Sequence, residues 1–276
     1  MGAPAFGGET AESYYDEGLT AGMRGDLTRA AECFERAIRL DSTMATAYHQ
    51  LGKCYARLGQ HERAVDLLSQ VVKKRPELLG AHLDLGAALN GLGKIAAGRA
   101  QYNAVLALAP DNAKAMLGLA QSDFDEGKWD SAMKFAESAQ FSGGPNFSVL
   151  FMLGRASKLA GYAEVSVKML QRADKLLEKY LETNPDKPEG HFLRGEVAFV
   201  RESFRGGLQH YRDAEDRAEP GRTYLAYGES FSLEDILAKE GLCLQRRGKS
   251  DRARELGERI EELNPRHKLG KSLRES

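Results

Sequence analysis

Cysteine is scarce in this chain. Cys33, Cys54 and Cys243 are the only three among 276 residues, and none stands at a spacing that a metal site or a redox pair needs. They read as reduced core residues. Net charge is missing too: 39 Lys and Arg face 40 Asp and Glu, a formal balance of −1. Phosphate binding needs a basic stripe, so nucleic acid is excluded as the main partner. No apolar run approaches the length of a membrane span. The N-terminus has neither the basic flank nor the apolar core of a secretory signal. Phe6 stands where a myristoylation start at Met1-Gly2 requires Ser or Thr. With 42% hydrophobic and 29% charged residues, the expectation is a soluble cytoplasmic protein.

Catalytic signatures are also lacking. The RGKS of 247–250 matches the end of a phosphate-binding loop, but the upstream glycine it requires is Cys243. GLGKIA at 91–96 falls between helical stretches, with no strand before it to make a dinucleotide turn. His61-Glu62 starts a zincin-like pair, yet Val65 replaces the second histidine. The histidines at 49, 61, 82, 191, 210 and 267 are scattered, with no i, i+4 pair beside a carboxylate. No enzyme activity, no cofactor and no metal site is expected.

What the chain does contain is a repeat. In residues 45–78, Tyr48, Leu51 and Tyr55 lie three and four apart, one face of a helix. Gly59 supplies the residue that accepts positive φ where that helix ends. From His61 to Lys74, Ala64, Leu67, Leu68, Val71 and Val72 share a second face, and Pro76 stops the helix. Neither helix of such a hairpin can bury its stripe alone, so stacked copies are required. They are present. Gly52 recurs at a spacing of 34 as Gly18, Gly86, Ala120 and Gly154, then after shifts as Gly195 and Gly241. Gly59 recurs as Gly25, Gly93, Gly127, Gly161 and Gly248; Ala64 recurs as Ala30, Gly98, Ala132, Ser166, Gly207 and Ala253.

These columns resemble the tetratricopeptide-repeat (TPR) family over about residues 11–267. The resemblance implies an all-α fold, a right-handed α-solenoid of about seven helix-turn-helix repeats. The repeats fall near 11–44, 45–78, 79–112, 113–146, 147–187, 188–219 and 234–267, as one continuous domain. Residues 1–10 read as a disordered leader, 220–233 as an insertion and 268–276 as a tail. In the fifth repeat the second helix runs about seven residues late, to Pro185, nearly two turns, which keeps its apolar face in register. Its end could serve as a docking ledge. Glu202 replaces the inter-helix glycine of the sixth repeat. The insertion is unusually apolar for a loop. Tyr224, Tyr227 and Phe231 either plug the gap between repeats or contact a partner. Only HKLGKSLRES remains to cap the array, so its last helix is expected to be poorly capped or covered by another chain.

In the TPR family the first helix of each pair lines a concave groove that takes a peptide or partner domain. The resemblance places Lys53, Arg57, Leu83, Lys114, Leu117, Phe124, Phe151, Arg155, Lys158, Phe192 and Phe199 in it. The middle would be apolar, flanked by cations, with Glu189, Glu196 and Asp235 at the far end. The function implied is a protein-interaction scaffold or adaptor. The partner would be a protein or peptide with apolar anchors and acidic character. An accessory or regulatory subunit of an enzyme or of a secretion or assembly complex is the alternative. Self-association stays open. The heat-shock chaperone tail that some TPR co-chaperones grip is not expected, because the best frame, His49, Lys53, Asp84, Lys114 and Gly118, sets Asp84 against the ligand carboxylate.

Overall fold

The computed structural model describes residues 10–226 and 229–275. Fifteen helices and one small hairpin follow in order among them. The helices are α1 (Ala11–Met23), α2 (Leu27–Leu40), α3 (Ala45–Arg57), α4 (His61–Lys74), α5 (Leu79–Gly91), α6 (Ile95–Leu108), α7 (Ala113–Asp125), α8 (Trp129–Gly143), α9 (Phe147–Leu159), α10 (Ala163–Thr183), α11 (Pro188–Val200) and α12 (Phe204–Glu215). Strands β1 (Tyr224–Ala226) and β2 (Glu229–Phe231) come next, then α13 (Leu233–Arg246), α14 (Ser250–Leu263) and α15 (Lys268–Arg274). The leader lies outside the described residues except for Thr10, which caps α1 through its side chain.

The chain divides into two compact units, Met1–Glu126 and Gly127–Ser276. The division falls inside the fourth repeat rather than between repeats. In the first unit α1 packs on α2, α3 on α4 and α5 on α6, and each pair packs on the next helix. The first helices also touch one another, α3 against α5 and α5 against α7. The second unit pairs α9 with α10, α11 with α12 and α13 with α14.

Glycine carries the close approach of these helices. A Cβ at Gly18, Gly52 or Gly86 would lie 2.7 Å from the ring of Phe34, the Leu68 side chain or the ring of Tyr102 respectively. In each case the filling residue lies sixteen positions on, in the second helix of the same repeat. The turn column holds positive φ at Gly25, Gly59, Gly93, Gly127, Gly161 and Gly248. At the sixth repeat Glu202 takes the same conformation, φ 60°, without being a glycine. The backbone turn is therefore set by the packing of the two helices, and the residue follows it.

Three departures from the repeat have local causes. α10 runs for 21 residues on a buried stripe of Ser166, Met169, Leu170, Ala173 and Leu177. Its extra turns do not stand free. Leu181 and Tyr180 press on Gly190 at the start of α11, where a Cβ would meet Leu181 at 2.6 Å. The insertion forms an antiparallel hairpin, Tyr224 opposite Phe231, Leu225 opposite Ser230 and Ala226 opposite Glu229. The segment read as a tail holds α15. In the seventh repeat the filling position is Gly257, so the notch at Gly241 is filled by Leu273 of α15, 1% exposed. The backbone of α15 can come that close because Gly257 has no side chain: a Cβ there would meet Arg274 N at 2.6 Å. Gly270 in turn leaves room for Ile260. The last helix pair is thus capped within the chain.

Candidate functional site

In the first unit the residues expected in the groove lie on α3, α5 and α7. Lys53, Leu83, Leu117 and Phe124 are half-buried, while Arg57 and Lys114 are exposed. The buried cluster of this unit is built from other positions, among them Phe34, Leu51, Tyr55, Leu68, Leu85 and Leu89. The face of the first helices is therefore left over from core formation. It also carries a polar contact: the His49 ring Nε2 lies 2.8 Å from Asp84 Oδ2, joining α3 to α5.

In the second unit the expected groove residues are mostly used inward. Phe151 and Phe192 are each 6% exposed. Phe151 stacks on Phe147 with centroids 5.2 Å apart, and the Arg155 guanidinium lies 5.3 Å from its ring centre. Phe192 is covered by Phe231, stacked at 3.9 Å and 13°. Tyr224 stacks in turn on Phe231 at 5.6 Å, and its hydroxyl accepts the backbone N–H of Glu219 at 2.6 Å. Tyr224 and Phe231, read as possible partner contacts, are 3% and 2% exposed. The hairpin turns them onto α11 and α13, so they offer almost no surface. Tyr227 lies outside the described residues. Lys158 donates to the Val200 carbonyl at 2.5 Å and pairs with Glu202 at 2.7 Å, so its charge is already matched. Phe199 is half-buried, edge-on to Phe204 at 5.5 Å.

A cleft of about 180 Å³ remains beside the hairpin. Phe151, Phe192, Leu193 and Phe231 form its apolar lining, and Arg155, Glu196, Asp235, Lys239 and Ser230 its polar lining. Small-molecule sites occupy roughly 300–1,000 Å³, so this cleft is smaller than such a site. Its charges are held in place. Glu196 accepts from Tyr211 Oη at 2.6 Å and pairs with Lys239 at 2.8 Å. Burial alone would raise the Asp235 carboxyl. Hydrogen bonds from His267 and from Ser232, which it caps in return, outweigh burial and hold it below its ordinary value. Glu196 was expected at the far end of the groove, but Leu193 and Lys239 were not singled out in the sequence. The signal for Lys239 is its charge pair with Glu196, 43 residues away on a neighbouring first helix, which only the stacking makes visible.

The titratable groups argue for structure. Burial pushes the thiols of Cys54 and Cys243 up to about 11 and about 12, so neither is a reactive thiolate. Glu240, 3% exposed, is raised to about 8 by burial and then by the Glu215 carboxylate beside it, against the pull of Arg212 at 3.5 Å. Two histidines scattered in the sequence do meet: His191, His210 and Asp213 come together on α11 and α12. Among the described residues no helix is long and apolar enough to cross a membrane.

Comparison with known proteins agrees with the geometry. The model of the tetratricopeptide repeat matches residues 15–78 and 83–146. Superkiller protein 3 of Schizosaccharomyces pombe is 23% identical over 167 residues, 58% of this chain and 12% of that protein. The BBSome complex member bbs-4 of Caenorhabditis elegans is 33% identical over 69 residues, 24% of this chain and 15% of that protein. The matched segments thus span only about an eighth to a seventh of these curated relatives. A crystal structure of a tetratricopeptide repeat protein from Parabacteroides merdae superposes with a TM-score of 0.62 at 14% identity, covering 96% of this chain and 98% of the other. With the family model over two stretches, and with the same glycine columns continuing through Gly154, Gly195 and Gly241, the chain belongs to the tetratricopeptide-repeat family.

Proposed function

We propose that the chain is a protein-interaction scaffold that takes a partner segment along the face of α3, α5 and α7. The observation that carries this reading is the direct contact of those three helices, whose shared face the buried cluster does not consume. Leu83 and Leu117 supply apolar seats, and Lys53, Arg57 and Lys114 favour an acidic, apolar-anchored segment. The proposed compartment is the cytoplasm. A chaperone tail is not the proposed ligand, because Asp84 holds its place beside His49. An EEVD-ended peptide titrated calorimetrically is expected to show no micromolar binding.

The test is affinity capture from native lysate with wild type and with a Leu83→Glu, Leu117→Glu double variant, both checked for helicity by circular dichroism. Phe151 is unsuited to this purpose, since a buried carboxylate there would damage the fold. A partner kept by wild type and lost by the variant supports the reading. A partner kept by both sinks it.

The second reading is an accessory subunit of a larger complex. It is favoured by the name of one relative, a BBSome complex member. Size-exclusion chromatography of the native protein separates the two. Quantitative co-elution with a fixed stoichiometric set of chains supports the subunit, and a free pool supports the adaptor.

A further inference from the structure

His191 and His210 are nineteen positions apart, and the antiparallel pairing of α11 with α12 brings them together. His191 is the fourth residue of α11, so it lies beside the end of α12. His210 and Asp213 stand three apart near that end and share one face. One ligand atom from each of the three lies within 4.8 Å of the others, and all three side chains are half-buried. We propose that His191, His210 and Asp213 bind a zinc ion that clasps α11 to α12.

The donor set carries the assignment. Two imidazole nitrogens and one carboxylate oxygen suit zinc, and three protein ligands leave one position open to water or to a partner's side chain. Tetrahedral ligands at about 2.0–2.1 Å from zinc lie roughly 3.4 Å apart, so closure asks for side-chain rotation of about an ångström. The surroundings already orient the donors. His191 Nε2 lies 3.1 Å from the Pro185 carbonyl oxygen. Donation there leaves Nδ1 unprotonated, which is how an outer carbonyl fixes a ligating tautomer. Gln209 Nε2 donates to Asp213 Oδ1 at 3.1 Å. The nearby cations are engaged by oxygen. Arg194 is held by Asp174 at 2.8 and 3.4 Å, and Arg217 donates to the carbonyls of Pro185 at 3.0 Å and Asp213 at 2.6 Å.

The test uses the full, tag-free chain, titrated with zinc chloride by calorimetry and with Co²⁺ by visible absorption. One site per chain is expected, and saturating zinc should raise Tm by several degrees. His191→Gln and His210→Gln should each weaken binding at least tenfold, while His49→Gln, in the other unit, leaves it unchanged. If a histidine variant loses its helicity, Asp213→Asn replaces it with a side chain of the same shape. No binding up to about 1 mM zinc, or binding that survives both histidine variants, overturns the site. Preference for Fe²⁺ over zinc overturns the assignment of the metal.

Discussion

The two units treat neighbouring first helices differently. In the first, α3 packs on α5 and α5 on α7, and a side chain from the same repeat fills the notches at Gly18, Gly52 and Gly86. In the second, the hairpin lies between α11 and α13, β1 against one and β2 against the other, and the last notch is filled from outside its repeat by Leu273. A strict period lets each repeat finish its neighbour. Where the period breaks, the added residues must supply the missing apolar surface. The first unit therefore keeps an open face, whereas the second spends Phe151, Phe192 and Phe231 on itself.

The sharpest way to break that comparison is Phe231→Ala. Phe231 lies between Phe192 and Tyr224 and is 2% exposed. Its loss should cost about 3–5 kcal/mol in urea denaturation. Hydrogen exchange should show the loosening confined to the second unit. Equal loss of protection along α1–α6 would mean that the units are not separable in this way. Leu273→Ala comes next, at about 2–4 kcal/mol, because it reopens the notch at Gly241. Gly52→Ala makes the matched test in the first unit, where the new methyl meets Leu68. It should cost about 1–3 kcal/mol through overpacking.

These same places mark how far the sequence could be read. The helix pairs were legible because Gly18, Gly52 and Gly86, with the turn glycines, impose their columns at a constant interval. The first-helix face was legible by resemblance, and the positions of Leu83 and Leu117 follow from it. The hairpin was not, because its apolar residues fit a plug or a partner contact equally well until Phe231 is seen on Phe192. α15 was missed for a related reason. A short helix with Leu273 as its buried anchor has no period of its own, and its signal is the absence of a large residue at Gly257. The meeting of His191 and His210 depends on which ends of α11 and α12 adjoin, which spacing along the chain does not report.

A smaller effect should appear with pH. The Glu240 carboxyl is raised from 4.5 to about 8, first by burial and then by Glu215. Between those values the unfolded chain has lost a proton that the folded chain keeps. Stability contributed here is fully present below about pH 4.5 and declines as pH rises towards 8, by on the order of 1 kcal/mol per pH unit. Glu240→Gln should flatten this slope and gain most, relative to wild type, near pH 8. An unchanged slope would assign the dependence to other groups.

The smallest predicted effect is a gain. Glu202 holds φ at 60° where six other repeats have glycine at the turn. A side chain in that region costs roughly 1–2 kcal/mol, and glycine recovers part of it while adding entropy to the unfolded chain. Glu202→Gly also removes the ion pair with Lys158, but Glu202 is 69% exposed in that pair, and solvent screens so exposed a contact to little net effect. The strain outweighs the pair, so Glu202→Gly should raise stability by up to about 1 kcal/mol. Glu202→Gln keeps the strained backbone and removes only the charge, so it should be neutral or slightly destabilising. If both variants lower Tm equally, the Lys158 pair, rather than the turn, is what Glu202 contributes to the sixth repeat.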